Sequence, residues 1–157
     1  MKKAAAGSAV FFALAPGVMA GLVPWLLTSW EVEHVWAPVR VLGIALIVAG
    51  AAVLIQAFAR FVTEGLGTPA PVAPTENLVV GGLYRYVRNP MYVAVATTIV
   101  GQALALGQAG LLVYAALFVL TVYSFVRIYE EPVLHDRYGA QYEAYRRAVP
   151  GWFPRRP

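Results

Sequence analysis

No cysteine occurs among the 157 residues, which excludes both a disulfide framework and a thiolate metal site. Histidine is almost as scarce: His34 and His135 stand far apart in the chain, so no metal centre is expected. Charge is thin as well. Charged residues make up 13% of the chain against 60% hydrophobic, and the mean hydropathy of +0.65 lies far from the balance of a soluble domain. Eight acidic residues face twelve basic ones for a net charge of +4. The arginines nevertheless form no basic stripe with a fold of its own, and nucleic acid is not an expected partner.

Four apolar stretches dominate what is present, at residues 8–29, 37–58, 91–106 and 109–128. Crossing about 30 Å of hydrocarbon takes roughly 20 helical residues, so the third is short and implies local thinning or partial burial. Together they predict an all-α integral membrane bundle of about four transmembrane helices, one domain over residues 1–157. Pro16 and Pro24 are expected to bend the first helix, where Gly17 and Gly21 make a small-xxx-small pair of a kind common in membrane helices by chance. All basic residues but Arg40 fall on one side of this arrangement, while Glu31, Glu33 and His34 occupy the opposite loop. The positive-inside rule then puts both termini and the long middle loop in the cytoplasm, and the excess positive charge suits anionic membrane lipids. Lys2, Lys3 and Val18-Met19-Ala20 also have the look of a cleavable leader, but the apolar run continues past Trp25 and Leu27 to Trp30, as in a retained span ending at an aromatic belt.

The polar residues are concentrated at two places. Gly82-Leu83-Tyr84-Arg85-Tyr86-Val87-Arg88-Asn89-Pro90-Met91-Tyr92 precedes the third apolar run, and Arg127-Ile128-Tyr129-Glu130-Glu131-Pro132 closes the fourth. Two apolar runs joined by a tight turn at Gly107-Gln108 form a helical hairpin, so both clusters return to the same side and face one another. The connecting segment 60–90 is broken by Gly65, Gly67, Pro69, Pro71 and Pro74, which excludes a continuous helix; Thr75 to Val80 reads as a short extended piece. In the tail, 130–157, the spacing of Leu134, Tyr138, Tyr142, Tyr145 and Val149 predicts an amphipathic helix beginning after Pro132. Trp152-Phe153 beyond it suits the headgroup zone. Taken alone, Tyr84, Tyr86 and Tyr92 read as an interfacial belt, Glu130-Glu131 as the acidic start of the tail helix, and Arg88 and Arg127 as side chains that snorkel to headgroups.

GTPAP at 67–71, LVVGGLYRYVRNPMY at 78–92 and EEPVLHDRYGAQYEAYRRAVPGWFP at 130–154, in that order around a helical hairpin, resemble the isoprenylcysteine carboxyl methyltransferase and phospholipid methyltransferase superfamily over roughly residues 60–157. The resemblance implies a membrane-embedded methyltransferase using S-adenosyl-L-methionine, with a lipophilic small-molecule or lipidated acceptor. It assigns cofactor contacts to Glu76, Asn77, Leu78, Val79, Tyr84, Asn89, Pro90, Met91, Tyr92, Glu130 and Glu131; Arg88 and Arg127 are the candidate catalytic residues, either of which would clamp the acceptor if it presents a carboxylate. Two departures stand out. Asn89 occupies a position where the family often has histidine, and asparagine keeps a hydrogen bond but does not titrate. Val126 occupies the position, four residues before the first glutamate, where the isoprenylcysteine branch has an arginine; Arg127 lies one step of about 100° further round the helix. Rival expectations are a nicotinamide-dependent membrane reductase of the steroid or sterol type, and a small membrane interaction protein without activity.

Overall fold

The computed structural model describes residues 14–65 and 77–155. Among these the protein is helical, with no strand. Helix α1 runs Leu14–Thr28, α2 Ala37–Gly65, α3 Pro90–Leu106, α4 Gly110–Tyr138 and α5 Ala140–Ala148. Of the four expected spans, two are long and apolar enough to cross a membrane: Ala37–Phe61 within α2, and the 29-residue α4. The other two, α1 and α3, are apolar but shorter among the described residues, so two candidate spans stand where four were expected. Of the Thr75 to Val80 piece, Thr75 and Glu76 lie outside the described residues, and Asn77 to Val80 form no strand.

Helices α2 and α3 pack through glycine. A Cβ added to Gly43 would lie 2.6 Å from the Gly101 carbonyl oxygen, and one on Gly101 would lie 2.7 Å from the Gly43 oxygen; Gly50 meets Ala94 and Thr98 in the same way. Without side chains at these points the two backbones approach closely, the usual basis of helix association where water supplies no driving force. Around this seam Leu54, Ala94, Val95, Ile99, Leu111 and Phe118 form the core. Among the described residues nothing lies within 4 Å of a Cβ at Gly17 or Gly21, so the small-residue pair noticed in the sequence makes no such seam with them.

The α1 helix is held differently. Proline at position 24 has no N–H to give the Ala20 carbonyl, and the chain responds with a π-turn over Val18–Leu22, in which the Val23 N–H reaches back to the Val18 carbonyl. Met19 and Ala20 thereby lose their helical donors. The Gln102 side chain donates to the Ala20 oxygen at 2.5 Å, and the Tyr114 hydroxyl donates to the Met19 oxygen at 2.7 Å.

A second π-turn, Val126–Glu130, sits in α4 with the Glu131 N–H on the Val126 carbonyl, and proline again follows two residues after the turn. The widened turn lets the helix pass through Pro132 to Tyr138, where Gly139 (φ 51°) ends it. This corrects two expectations: the fourth apolar helix does not stop at residue 128, and no separate tail helix begins after Pro132. The independent tail element is α5 alone. The middle loop likewise starts later than residue 60, because α2 continues to Gly65.

Candidate functional site

The polar ends of α3 and α4 meet at a cavity of about 510 Å³. Its position follows from local structure. Glu64 near the end of α2 accepts from the Gly81 N–H at 2.9 Å and from Arg60 at 3.0 Å, which pins the returning loop. Gly82 then takes φ 55°, a left-handed conformation that favours glycine, and the single 3-10 turn Gly82–Arg85 turns Tyr84 inward, where it is buried. Pro90 opens α3 at its first turn, where a missing N–H costs nothing, and brings Met91 and Tyr92 to the cavity wall.

The two consecutive glutamates have different partners. Glu130 lines the cavity, and one of its oxygens, Oε2, accepts from the Tyr92 hydroxyl at 3.0 Å. Glu131 is an ion-pair hub: Oε1 accepts from Arg88 at 2.8 Å and Oε2 from Arg127 at 3.2 Å. The Arg88–Glu131 pair is well buried, at 13% and 11% side-chain exposure, and its geometry is supplemented by Arg88 bonds to the Tyr142 hydroxyl at 3.0 Å and the Val149 carbonyl at 3.0 Å. Arg88 therefore ties α4 and the tail to the start of α3.

Asn89 continues that fastening. Its side-chain amide and its backbone N–H both donate to the Gly151 carbonyl, at 3.0 and 3.2 Å. Trp152 next to it lies 6.4 Å from the Tyr92 ring and 5.7 Å from Tyr123, centre to centre, so the tail backs Tyr92 with an aromatic surface. From α5, Tyr145 donates to the Tyr84 carbonyl at 2.7 Å. Burial pushes the Tyr84 and Tyr145 phenols above their ordinary range, which keeps both neutral.

Most of the sequence-derived residues come together here. Leu78, Val79, Tyr84, Asn89, Pro90, Met91, Tyr92, Glu130, Glu131 and Arg88 all line the cavity. Asn77 is exposed and does not, Glu76 is outside the described residues, and Arg127 is half-exposed outside the lining, with Val126 in the wall instead. Residues missed from the sequence include Phe61, Phe118, Val122, Leu134 and Tyr138. The α4 members recur at three- and four-residue intervals, a single helix face, but treating Pro132 as a helix end cut that stripe in two. Pro16 and Met19 of α1 add apolar wall to the same cavity.

A carboxylate bonded to a phenol in the wall of a largely apolar cavity is suited to a cationic group, whose attraction is strengthened where water is excluded. The volume lies within the roughly 300–1,000 Å³ of small-molecule sites. A model of the family described as phospholipid methyltransferase matches residues 38–141, from the start of α2 to the start of α5. No curated protein matches the chain.

Proposed function

The chain belongs to the phospholipid methyltransferase family, and from that premise we propose that it transfers a methyl group from S-adenosyl-L-methionine to a hydrophobic or amphiphilic, isoprenoid- or lipid-like acceptor in the membrane. Family membership implies methyltransferase activity on lipid-like substrates, and the two long apolar helices fit a membrane setting. The donor and the acceptor site are the further step. Both termini and the polar end of the cavity are proposed to face the cytoplasm, on the distribution of basic residues.

The observation that carries the proposal is Glu130, bonded to Tyr92 and open to an apolar cavity. The donor, when bound, supplies an electrophilic methyl group on a sulfonium. Glu130 would hold its cationic amino-acid end, Tyr92 would fix the carboxylate's orientation, and Tyr84 with Leu78 and Val79 would form the wall against the adenosine. Catalysis of this kind asks the protein to align reactants and exclude water rather than to form a covalent intermediate. Arg88 is proposed to act by holding Glu131, Tyr142 and the tail in place over the site; Arg127 supports Glu131 from outside the cavity.

Calorimetric titration in detergent tests this reading. S-adenosyl-L-methionine should bind, and Glu130→Gln should weaken binding by about 1.5–3 kcal/mol, the range for a charged hydrogen bond. Tyr92→Phe should weaken it less. Equal affinity in all three proteins, or binding of reduced nicotinamide in place of the methyl donor, would overturn the assignment.

A further inference from the structure

The attachment of α1 has features that stability alone does not explain. Gln102 gives its amide N–H to the Ala20 carbonyl while its own oxygen, Oε1, is buried without a partner among the described residues. Turning the amide over would satisfy neither atom, because the oxygen would then meet the Ala20 oxygen. A buried unsatisfied acceptor is costly and calls for a reason. Tyr114 adds its bond to the neighbouring Met19 carbonyl, with Met19 Sδ at 3.6 Å from the same hydroxyl. Both acceptors exist because of Pro24 and the π-turn it accompanies. Side chains of adjacent helices are the general means by which a proline-broken helix is made tolerable in lipid.

Unlike α2 and α3, α1 has no close glycine seam among the described residues, none of which lies within 4 Å of a Cβ at Gly17 or Gly21. Yet Pro16 and Met19 line the same cavity as Phe118 and Val122. We propose that Gln102 and Tyr114 are positioning residues for the acceptor: by occupying the carbonyls freed at Pro24 they hold the Pro16–Met19 wall against the acceptor's apolar chain. This rests on the methyltransferase reading for the identity of the occupant, but the holding of the wall does not. The donor's proposed contacts at Glu130, Tyr92 and Tyr84 are on other elements, so the two substrates should respond differently.

The test uses the full chain in detergent, with dodecylamine and dodecanoate as acceptors. Gln102→Leu and Tyr114→Phe should each raise acceptor KM by about fivefold, the equivalent of one net hydrogen bond, with donor Kd unchanged within about twofold. Pro24→Ala restores an N–H that can serve Ala20, so Gln102→Leu/Pro24→Ala should recover acceptor KM, whereas Tyr114→Phe/Pro24→Ala should recover it less. Because the chain has no cysteine, spin labels at Gly17→Cys and Leu117→Cys report the α1 to α4 distance without further change. That distribution should broaden in Gln102→Leu and narrow again with Pro24→Ala. An unchanged distribution in both peg variants overturns the proposal, as does an equal loss of donor and acceptor binding. If the parent protein methylates neither amphiphile, the acceptor reading fails, and the label distances still decide whether the pegs hold the wall.

Discussion

The π-turns of α1 and α4 share one covalent cause and have opposite uses. Each spans five residues and is followed, two residues later, by proline. In α1 the freed carbonyls of Met19 and Ala20 are taken by Tyr114 and Gln102, so the break serves to dock one helix on two others. In α4 the corresponding residues, Arg127 and Ile128, are exposed. There the extra residue acts on direction: it separates the roles of neighbouring glutamates, Glu130 toward Tyr92 and the cavity, Glu131 toward Arg88 and Arg127. A proline-linked wide turn thus either exposes acceptors for packing or re-aims side chains, and the neighbouring helices decide which.

Removing the hub should have the largest effect on this contrast. Glu131→Ala leaves the buried Arg88 without its anion, a loss of about 3–5 kcal/mol for a broken buried pair, read as a lower unfolding midpoint in detergent. A midpoint equal to the parent's would mean that α4's turn organises nothing. Next comes Pro132→Ala, which lets the turn relax toward regular helix and rotate the following residues by up to about 100°. Donor affinity should fall about tenfold, near 1.4 kcal/mol, and the unfolding midpoint should fall by less than in Glu131→Ala. Full donor affinity would show that the glutamates keep their directions without the proline. The smallest effect belongs to Arg127→Lys. Its guanidinium is half-exposed, so replacing it should cost less than about 1 kcal/mol and change turnover little with carboxylate, amine or thiol lipids alike. A large loss confined to carboxylate acceptors would bring Arg127 into the acceptor site.

Much of the site was legible in sequence because it is organised by a hairpin. A tight turn at Gly107 returns two apolar helices to the same end, so the Tyr84–Tyr92 and Arg127–Pro132 clusters had to be neighbours, and the Tyr92–Glu130 bond is one consequence. The roles of Arg88 and Asn89 were less legible. Their partners are carbonyls of Val149 and Gly151, backbone atoms distant in sequence that no side-chain pattern announces. The glycine seam was missed for a related reason: Gly43 and Gly50 are seven residues apart on one face, but their meaning depends on Gly101 arriving opposite them.

By itself the sequence determined the class of solvent, the helical content, the hairpin and the end at which polar chemistry gathers. These follow from hydropathy, periodicity and turn residues, which act over a few positions of the chain. Only the tertiary structure decided how two prolines were absorbed, which glutamate faces the cavity and which helix α1 leans on. A helical carbonyl deprived of its N–H can be satisfied by widening the turn, by a neighbour's side chain or by exposure, and the choice among these depends on groups far along the chain, such as Gln102 and Tyr114 for α1.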